Sequence, residues 1–322
     1  MSARPTVVVT RRLPPPVEQR LRSLFDARLN AADAPLDDAA LAGAMRDADA
    51  LLPTVTDRIT ADLFGPPGRR VRIVSTFGVG YNNIDVAAAR RNGVIVTNTP
   101  DVLTDDTADL AITLLLMVAR RTGEGERLVR AGAWTGWRPT QMLGTRVAGK
   151  TLGLIGFGRI GRAVAARARG GFRMRVLWHD PSPGDDAASL GAERRRSIEE
   201  VLHESDFVSL HCPATPDTKH LMNAERLAAM RPGAFLINTA RGDVVDEAAL
   251  VRALQERTIA GAGLDVYERE PSVSRELLAM DNVVLLPHLG SATDETRVAM
   301  GNRAVDNLAA FFDGGAPLDR VA

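Results

Sequence analysis

Cysteine is almost missing from this chain of 322 residues: Cys212 is the only one. No internal disulfide can form, and a reducing compartment fits. Lysine is nearly missing too, standing only at 150 and 219, although 40 basic residues balance 40 acidic ones. The arginines are scattered rather than clustered, which reads as a coding bias. Zero net charge gives no electrostatic argument for nucleic acid or a membrane surface as a partner. No apolar run approaches the roughly 20 residues of a membrane span. The start, Met1-Ser2-Ala3-Arg4-Pro5, lacks a signal-peptide core, so the expectation is a cytoplasmic protein. There is no linker rich in Ser, Gly or Pro, no low-complexity tract and no fixed-period repeat.

What is present is an alternation of strand-like and helical runs. Thr6–Thr10 precedes a helix from near Pro16, and Ala50–Leu52 precedes one around Ile59 to Phe64. Val71–Ser75, a Gly78-Val79-Gly80 loop, a helix over Ile84–Arg91 and the strand Val94–Thr97 follow. Later strands are expected at Phe207–His211, Ala234–Thr239, Ala262–Val266 and Val283–Leu286, with a helix from about Thr293 to Phe312. Such alternation argues for an α/β protein whose parallel sheets are covered by helices on both faces. The length suits two doubly wound domains with a cleft between them. The run Thr107–Arg120 is too apolar for a surface helix and reads as a buried connector between the domains.

One stretch carries more information than any other. The apolar strand Leu152–Ile155 ends directly in Gly156-Phe157-Gly158-Arg159-Ile160-Gly161, a G-x-G-x-x-G. An Arg/Ala-rich helical segment, Arg162–Arg169, comes next, and the strand Arg175–His179 then delivers Asp180. Gly156 permits the tight turn, Gly158 lets a pyrophosphate approach the backbone, and Gly161 lets the helix pack close to the sheet. Asp180 accepts from adenosine ribose hydroxyls and repels a 2′-phosphate. No Arg or Lys lies in His179–Asp186 to offset that repulsion, so NAD(H) is expected over NADP(H). Cys212, just after a strand, is expected near the nucleotide as a small hydrophobe rather than a nucleophile.

Three residues downstream fall at strand ends, where open α/β sheets place ligands. Arg241 ends Ile237–Ala240, Glu270 lies just past Ala262–Val266, and His288 follows Val283–Leu286. Reducing a carbonyl by hydride requires an acid for the developing alkoxide, and His suits that role near neutrality. A carboxylate beside it would favour the imidazolium and fix the ring. An Arg grips a substrate carboxylate with two parallel bonds. Taken singly, a strand-end His, a loop Arg and a turn Glu are each more often structural. Their joint placement beside a dinucleotide fingerprint favours chemistry, and no metal is expected.

These segments resemble the D-isomer-specific 2-hydroxyacid dehydrogenases. The likeness lies in Gly156–Gly161, Val208–Pro213, Ile237–Asp246, Gly263–Pro271, Leu286–Thr293, Thr76–Asp85 and Thr104–Ala111, in order along essentially the whole chain. It implies a catalytic trio of Arg241, Glu270 and His288, and a loop at Val79 and Gly80 whose N–H groups bind the substrate carboxylate. It also implies cofactor contacts around Thr107, His211, Cys212, Pro213, Thr239, Ala240, His288 and Gly290, with Asp265 holding the nicotinamide carboxamide. The fold implied pairs a Rossmann cofactor domain over 102–288 with a discontinuous, flavodoxin-like substrate domain over 1–101 and 289–322.

Within that family the chain is most similar to the glyoxylate/hydroxypyruvate reductases. Trp134–Pro139 resembles their sequence, and 18 residues separate Glu270 from His288 as they do there. The resemblance implies a homodimer in which Trp137 reaches toward the partner's substrate cleft. Formate dehydrogenases carry Gln in place of Glu270 and phosphite dehydrogenases carry Lys in place of Val79, which argues against both. A D-lactate-type or other D-2-hydroxyacid dehydrogenase, the D-lactate enzymes having a longer Glu-to-His interval, stays the weaker alternative. Some relatives are NAD-sensing corepressors, but the flanking disordered segments of an adaptor are not seen here. The stretch Gly170–Met174 reads as a turn one residue longer than is usual in the family.

Overall fold

The computed structural model describes residues 4–65, 67–182 and 190–322; the part of the His179–Asp186 argument that concerns 183–186 lies outside them. The chain divides into two compact units, Met1–Leu103 with Ser291–Ala322, and Thr104–Gly290. These boundaries fall two residues beyond those read from the sequence. Leu103 precedes the first turn of a helix, and Gly290 closes a turn tied back to Asp265.

The first unit holds strands β1 (Thr6–Val9), β2 (Asp26–Arg28), β3 (Ala50–Leu52), β4 (Ile73–Ser75) and β5 (Ile95–Thr97). They form one parallel sheet in the order β2-β1-β3-β4-β5. That is the flavodoxin-like order, whose switch point lies between β1 and β3. Short, almost wholly buried strands such as Ala50-Leu51-Leu52 suit a sheet with helices on both faces. Leu41, Phe64 and Ala88 pack on one face; Val17, Leu21, Met300 and Leu308 pack on the other.

The second unit holds β6 (Thr151–Ile155), β7 (Arg175–His179), β8 (Glu193–Arg194), β9 (Phe207–Leu210), β10 (Phe235–Asn238), β11 (Gly261–Leu264) and β12 (Val283–Leu285). All pairs are parallel, in the order β12-β11-β10-β9-β6-β7-β8. This is a Rossmann arrangement with a further strand, and its order reverses between β6 and β9.

Two sequence readings are corrected. The helix after the glycine turn runs over Arg159–Phe172, so Gly170 and Gly171 are helical rather than part of a turn. Phe172 packs against the core, and the helix ends only where Arg173 takes a left-handed conformation. The apolar helix is Thr104–Ala119 and keeps a narrow solvent-facing stripe. Asp105, Asp109 and Thr113, one turn apart, are exposed, and Arg167 bridges the two carboxylates. Its opposite side, through Leu114, Leu115 and Val118, is buried against the sheet.

Candidate active site

The candidate side chains of the second unit sit beyond the carboxyl ends of its strands. At the switch point β6 runs into Gly156, whose φ is +93° and whose Cβ, if present, would lie 2.6 Å from the Cys212 backbone nitrogen. Only glycine satisfies both conditions. A Cβ at Gly161 would come 2.5 Å from the Gly156 carbonyl, whereas one at Gly158 would meet nothing within 4 Å. The turn is therefore closed on its protein side and open at Gly158. The helix that begins at Arg159 has no side-chain cap at Gly158, and Gly158 and Arg159 are exposed while Ile160 is half-buried. An uncapped N-terminus of this kind presents backbone N–H groups to an anion, which fits a dinucleotide pyrophosphate.

Asp180 has a role that its sequence position did not reveal. One carboxylate oxygen accepts the Phe157 N–H at 2.8 Å, the other the Ser182 N–H at 2.9 Å. The acid braces the glycine turn, and each oxygen keeps acceptor capacity for a ribose hydroxyl. Beneath the turn, Phe157 stacks on Trp178 with centroids 4.4 Å apart.

Across the switch point, His211 and Cys212 are half-buried and Pro213 is exposed. Burial pulls the His211 imidazole down to about 4, and its Nε2 lies 2.9 Å from Ser209 Oγ. Burial pushes the Cys212 thiol up to about 11, the opposite of what a nucleophile requires. Thr239 is buried and Ala240 half-buried at the end of β10.

The trio read from the sequence lies on three neighbouring strand ends, β10, β11 and β12. His288 Nδ1 is 2.9 Å from Glu270 Oε2, each side chain about one-third exposed (33% and 35%). Burial pushes the Glu270 carboxyl up. The hydrogen bond and charge of His288, the Tyr267 N–H and the Arg241 charge outweigh that, so the group lies below its ordinary value. Arg241 is half-buried, and its Nη1 donates to the Ala240 carbonyl at 2.7 Å. Burial pulls its guanidinium value down against the Glu270 and Asp243 charges, and it remains a cation.

His288 has φ +55°, a left-handed backbone that a histidine rarely adopts. Asp265, only 1% exposed, holds it there. Its two oxygens accept the N–H groups of Leu289 and Gly290 at 2.6 and 2.9 Å. Thr107, also buried, donates to the Gly290 carbonyl at 2.9 Å. Burial raises the Asp265 carboxyl above its ordinary value, opposed by those two N–H groups and the His288 charge. Thr107 and Asp265, expected from the sequence to contact the cofactor, here both brace the turn that carries His288. An Asp 25 residues before a Gly is not a recognisable signal without the sheet that joins them.

In the first unit, the loop with Val79 and Gly80 is tied down at its shoulders. Asn98 Nδ2 donates to the Val79 carbonyl at 2.9 Å, and the Thr99 N–H donates to that of Gly78 at 3.0 Å. Among the described residues, no acceptor lies on the Val79 or Gly80 N–H. At the switch point of this sheet, buried Asp57 accepts from Thr10 Oγ1 (2.6 Å) and the Thr54 N–H (2.7 Å). Neither Asn98 nor Asp57 was singled out from the sequence. In the second unit, Trp137 is 80% exposed in a segment without helix or strand. Among the described residues, no group of three or more His, Cys, Asp or Glu could hold a metal, and no helix is long and apolar enough to cross a membrane.

Residues 112–290 match the model of the D-isomer specific 2-hydroxyacid dehydrogenase NAD binding domain. Over 319 residues the chain is 48% identical to a glyoxylate reductase of Thermococcus kodakarensis, covering 98% of this chain and 95% of that one. A glyoxylate reductase of Pyrococcus furiosus is 46% identical, with 98% and 94% covered. Among solved structures, an NADPH-dependent glyoxylate/hydroxypyruvate reductase from Sinorhizobium meliloti, in complex with NADP and malonate, superposes with a TM-score of 0.89. It is 40% identical, with 99% of this chain and 97% of that one covered. A twin-sheet α/β enzyme with a nicotinamide-dinucleotide site is thus the class. The chain belongs to the D-isomer specific 2-hydroxyacid dehydrogenases.

Proposed function

We propose that this protein reduces a small 2-oxo acid, glyoxylate or hydroxypyruvate, to the D-2-hydroxy acid, with NAD(H) preferred over NADP(H). The observation that carries the reading is the His288–Glu270 pair at 2.9 Å, one strand end away from a half-buried Arg241. The bound dihydronicotinamide supplies the hydride. Every other role falls to side chains. Glu270 engages Nδ1 of His288, which leaves Nε2 to give its proton to the carbonyl oxygen as negative charge develops there. Arg241 grips the substrate carboxylate and polarises the carbonyl. The N–H groups of Val79 and Gly80 are assigned to binding the substrate carboxylate. Residues 104–290 serve as the cofactor domain and the remainder as the substrate domain.

NAD(H) preference rests on Asp180 at the end of β7. Its carboxylate would set like charge against a 2′-phosphate, and at the same strand end Arg194 Nη2 donates to the Asp180 carbonyl at 3.3 Å. The Sinorhizobium enzyme, by contrast, is a user of NADPH.

A homodimer is part of the proposal. The helix Thr122–Arg130 buries no residue, and Val129 (60%), Trp134 (53%), Trp137 (80%) and Leu143 (67%) are all exposed within it or just after it. Apolar exposure on that scale is typical of a face that a partner covers, and a second copy related by a two-fold axis is the commonest one. The test of the whole reading is a panel of glyoxylate, hydroxypyruvate, pyruvate and phenylpyruvate, each with NADH and NADPH. Turnover of the two small polar acids with NADH is expected to lead. A preference for phenylpyruvate, or no turnover of any 2-oxo acid, would overturn it.

A further inference from the structure

Tyr267 touches the supports of all three members of the trio. Its backbone N–H donates to Glu270 Oε1 at 3.1 Å, the carboxylate oxygen not engaged by His288. Its phenol donates to the Leu286 carbonyl at 2.8 Å, two residues before His288. Its own carbonyl lies against Gly242, the residue after Arg241, so closely that a Cβ on Gly242 would fall 1.9 Å from it. The ring is buried, at 9% exposure, between β11 and β12. A single rigid residue therefore meets the loop of Arg241, the carboxylate of Glu270 and the strand end that delivers His288.

We infer that Tyr267 is a positioning residue that sets the mutual placement of Arg241, Glu270 and His288, with its hydroxyl fixing the His288 strand end against the Glu270 loop. The inference rests on the proposed reductase reading only for its kinetic consequences. The phenol stays a donor: burial, then the charges of Asp265, Glu270 and Glu247, push its ionisation well above the ordinary value. The charged groups around the pair it serves are Asp265 and Glu270 beside His288, with Arg241 beside Glu270. Losing the hydroxyl leaves the Leu286 carbonyl without that donor, loosens the strand end and weakens the contact between the imidazolium and Glu270.

The test combines an NMR comparison with a double-mutant cycle. In Tyr267→Phe, the NMR signals of the His288 ring, whose Nδ1 meets Glu270 Oε2 at 2.9 Å, should shift from their wild-type positions, since a looser strand end lengthens that contact. This readout needs no substrate. With glyoxylate and NADH, kcat should fall roughly three- to tenfold with KM for NADH unchanged. In a Glu270→Gln background the same change should cost less than about twofold, because the contact it serves is already gone. Tyr267→Met keeps the N–H, drops the oxygen and is read by the same cycle if the Phe variant folds poorly. Unchanged His288 ring signals, or equal losses in both backgrounds, would overturn the inference. Shifted His288 ring signals in a protein that reduces no 2-oxo acid would uphold it and remove the substrate reading instead.

Discussion

Asp265 holds His288 by its backbone and the turn after His288 by its side chain. The Asp265 carbonyl accepts the His288 N–H at 2.9 Å, while its carboxylate takes the next two N–H groups along the chain. A left-handed histidine costs on the order of 1–3 kcal/mol, and these three bonds hold it against that strain. The strained residue is the one to which the proton transfer is assigned.

Asp265→Asn is therefore expected to lower turnover at least about tenfold while NADH binding changes less, because one of its two acceptors becomes a donor facing an N–H. Stability should fall by about 1–3 kcal/mol, read from urea unfolding with an unchanged m value. Wild-type turnover in this variant would show that the turn does not depend on the carboxylate.

His211 gives a prediction for pH. Burial lowers its imidazole to about 4 in the folded chain, against about 6.5 when unfolded. Between those values the unfolded state binds the extra proton. The contribution of His211 to stability is thus fully present above about 6.5 and declines as pH falls toward 4. Its ring signals in an NMR titration should stay those of neutral imidazole down to about pH 5. A midpoint near 6.5 would contradict the burial argument.

For the cofactor, kcat/KM should favour NADH over NADPH, and Asp180→Asn should narrow the ratio at least about tenfold by removing the negative charge. A wild-type preference for NADPH would place the determinant elsewhere.

Light scattering should give twice the chain mass at assay concentration. Trp137→Ala should keep NADH binding and extend the substrate range toward bulkier 2-oxo acids such as phenylpyruvate. A monomer with the same substrate range would remove Trp137 from the site.

Much of this was legible in the sequence. Both sheets announced themselves through short apolar runs, and the glycine fingerprint with Asp180 located the switch point. His288 and Glu270 were readable because strand ends in parallel sheets converge. What escaped notice has physical reasons. The edge strands Asp26–Arg28 and Glu193–Arg194 have no apolar pattern, since little covers them. The helix Asp38–Asp47 is Ala-rich and only weakly amphipathic, although Asp37 caps it. Gly170 and Gly171 looked like a turn because propensity is local, and tertiary packing of Phe172 overrode it. The support given by Asp265, Tyr267 and Asn98 depends on backbone groups brought together by the sheets, and no spacing rule reveals it.

The central claim is that His288 delivers the proton. The most direct measurement is single-turnover reduction of glyoxylate by His288→Ala with saturating NADH, beside a fluorescence titration of NADH. The rate should fall by at least about a hundredfold, within the usual range for general acid catalysis, while NADH affinity stays within about threefold. A rate equal to that of the wild type would contradict the claim, as would a loss explained entirely by weaker NADH binding.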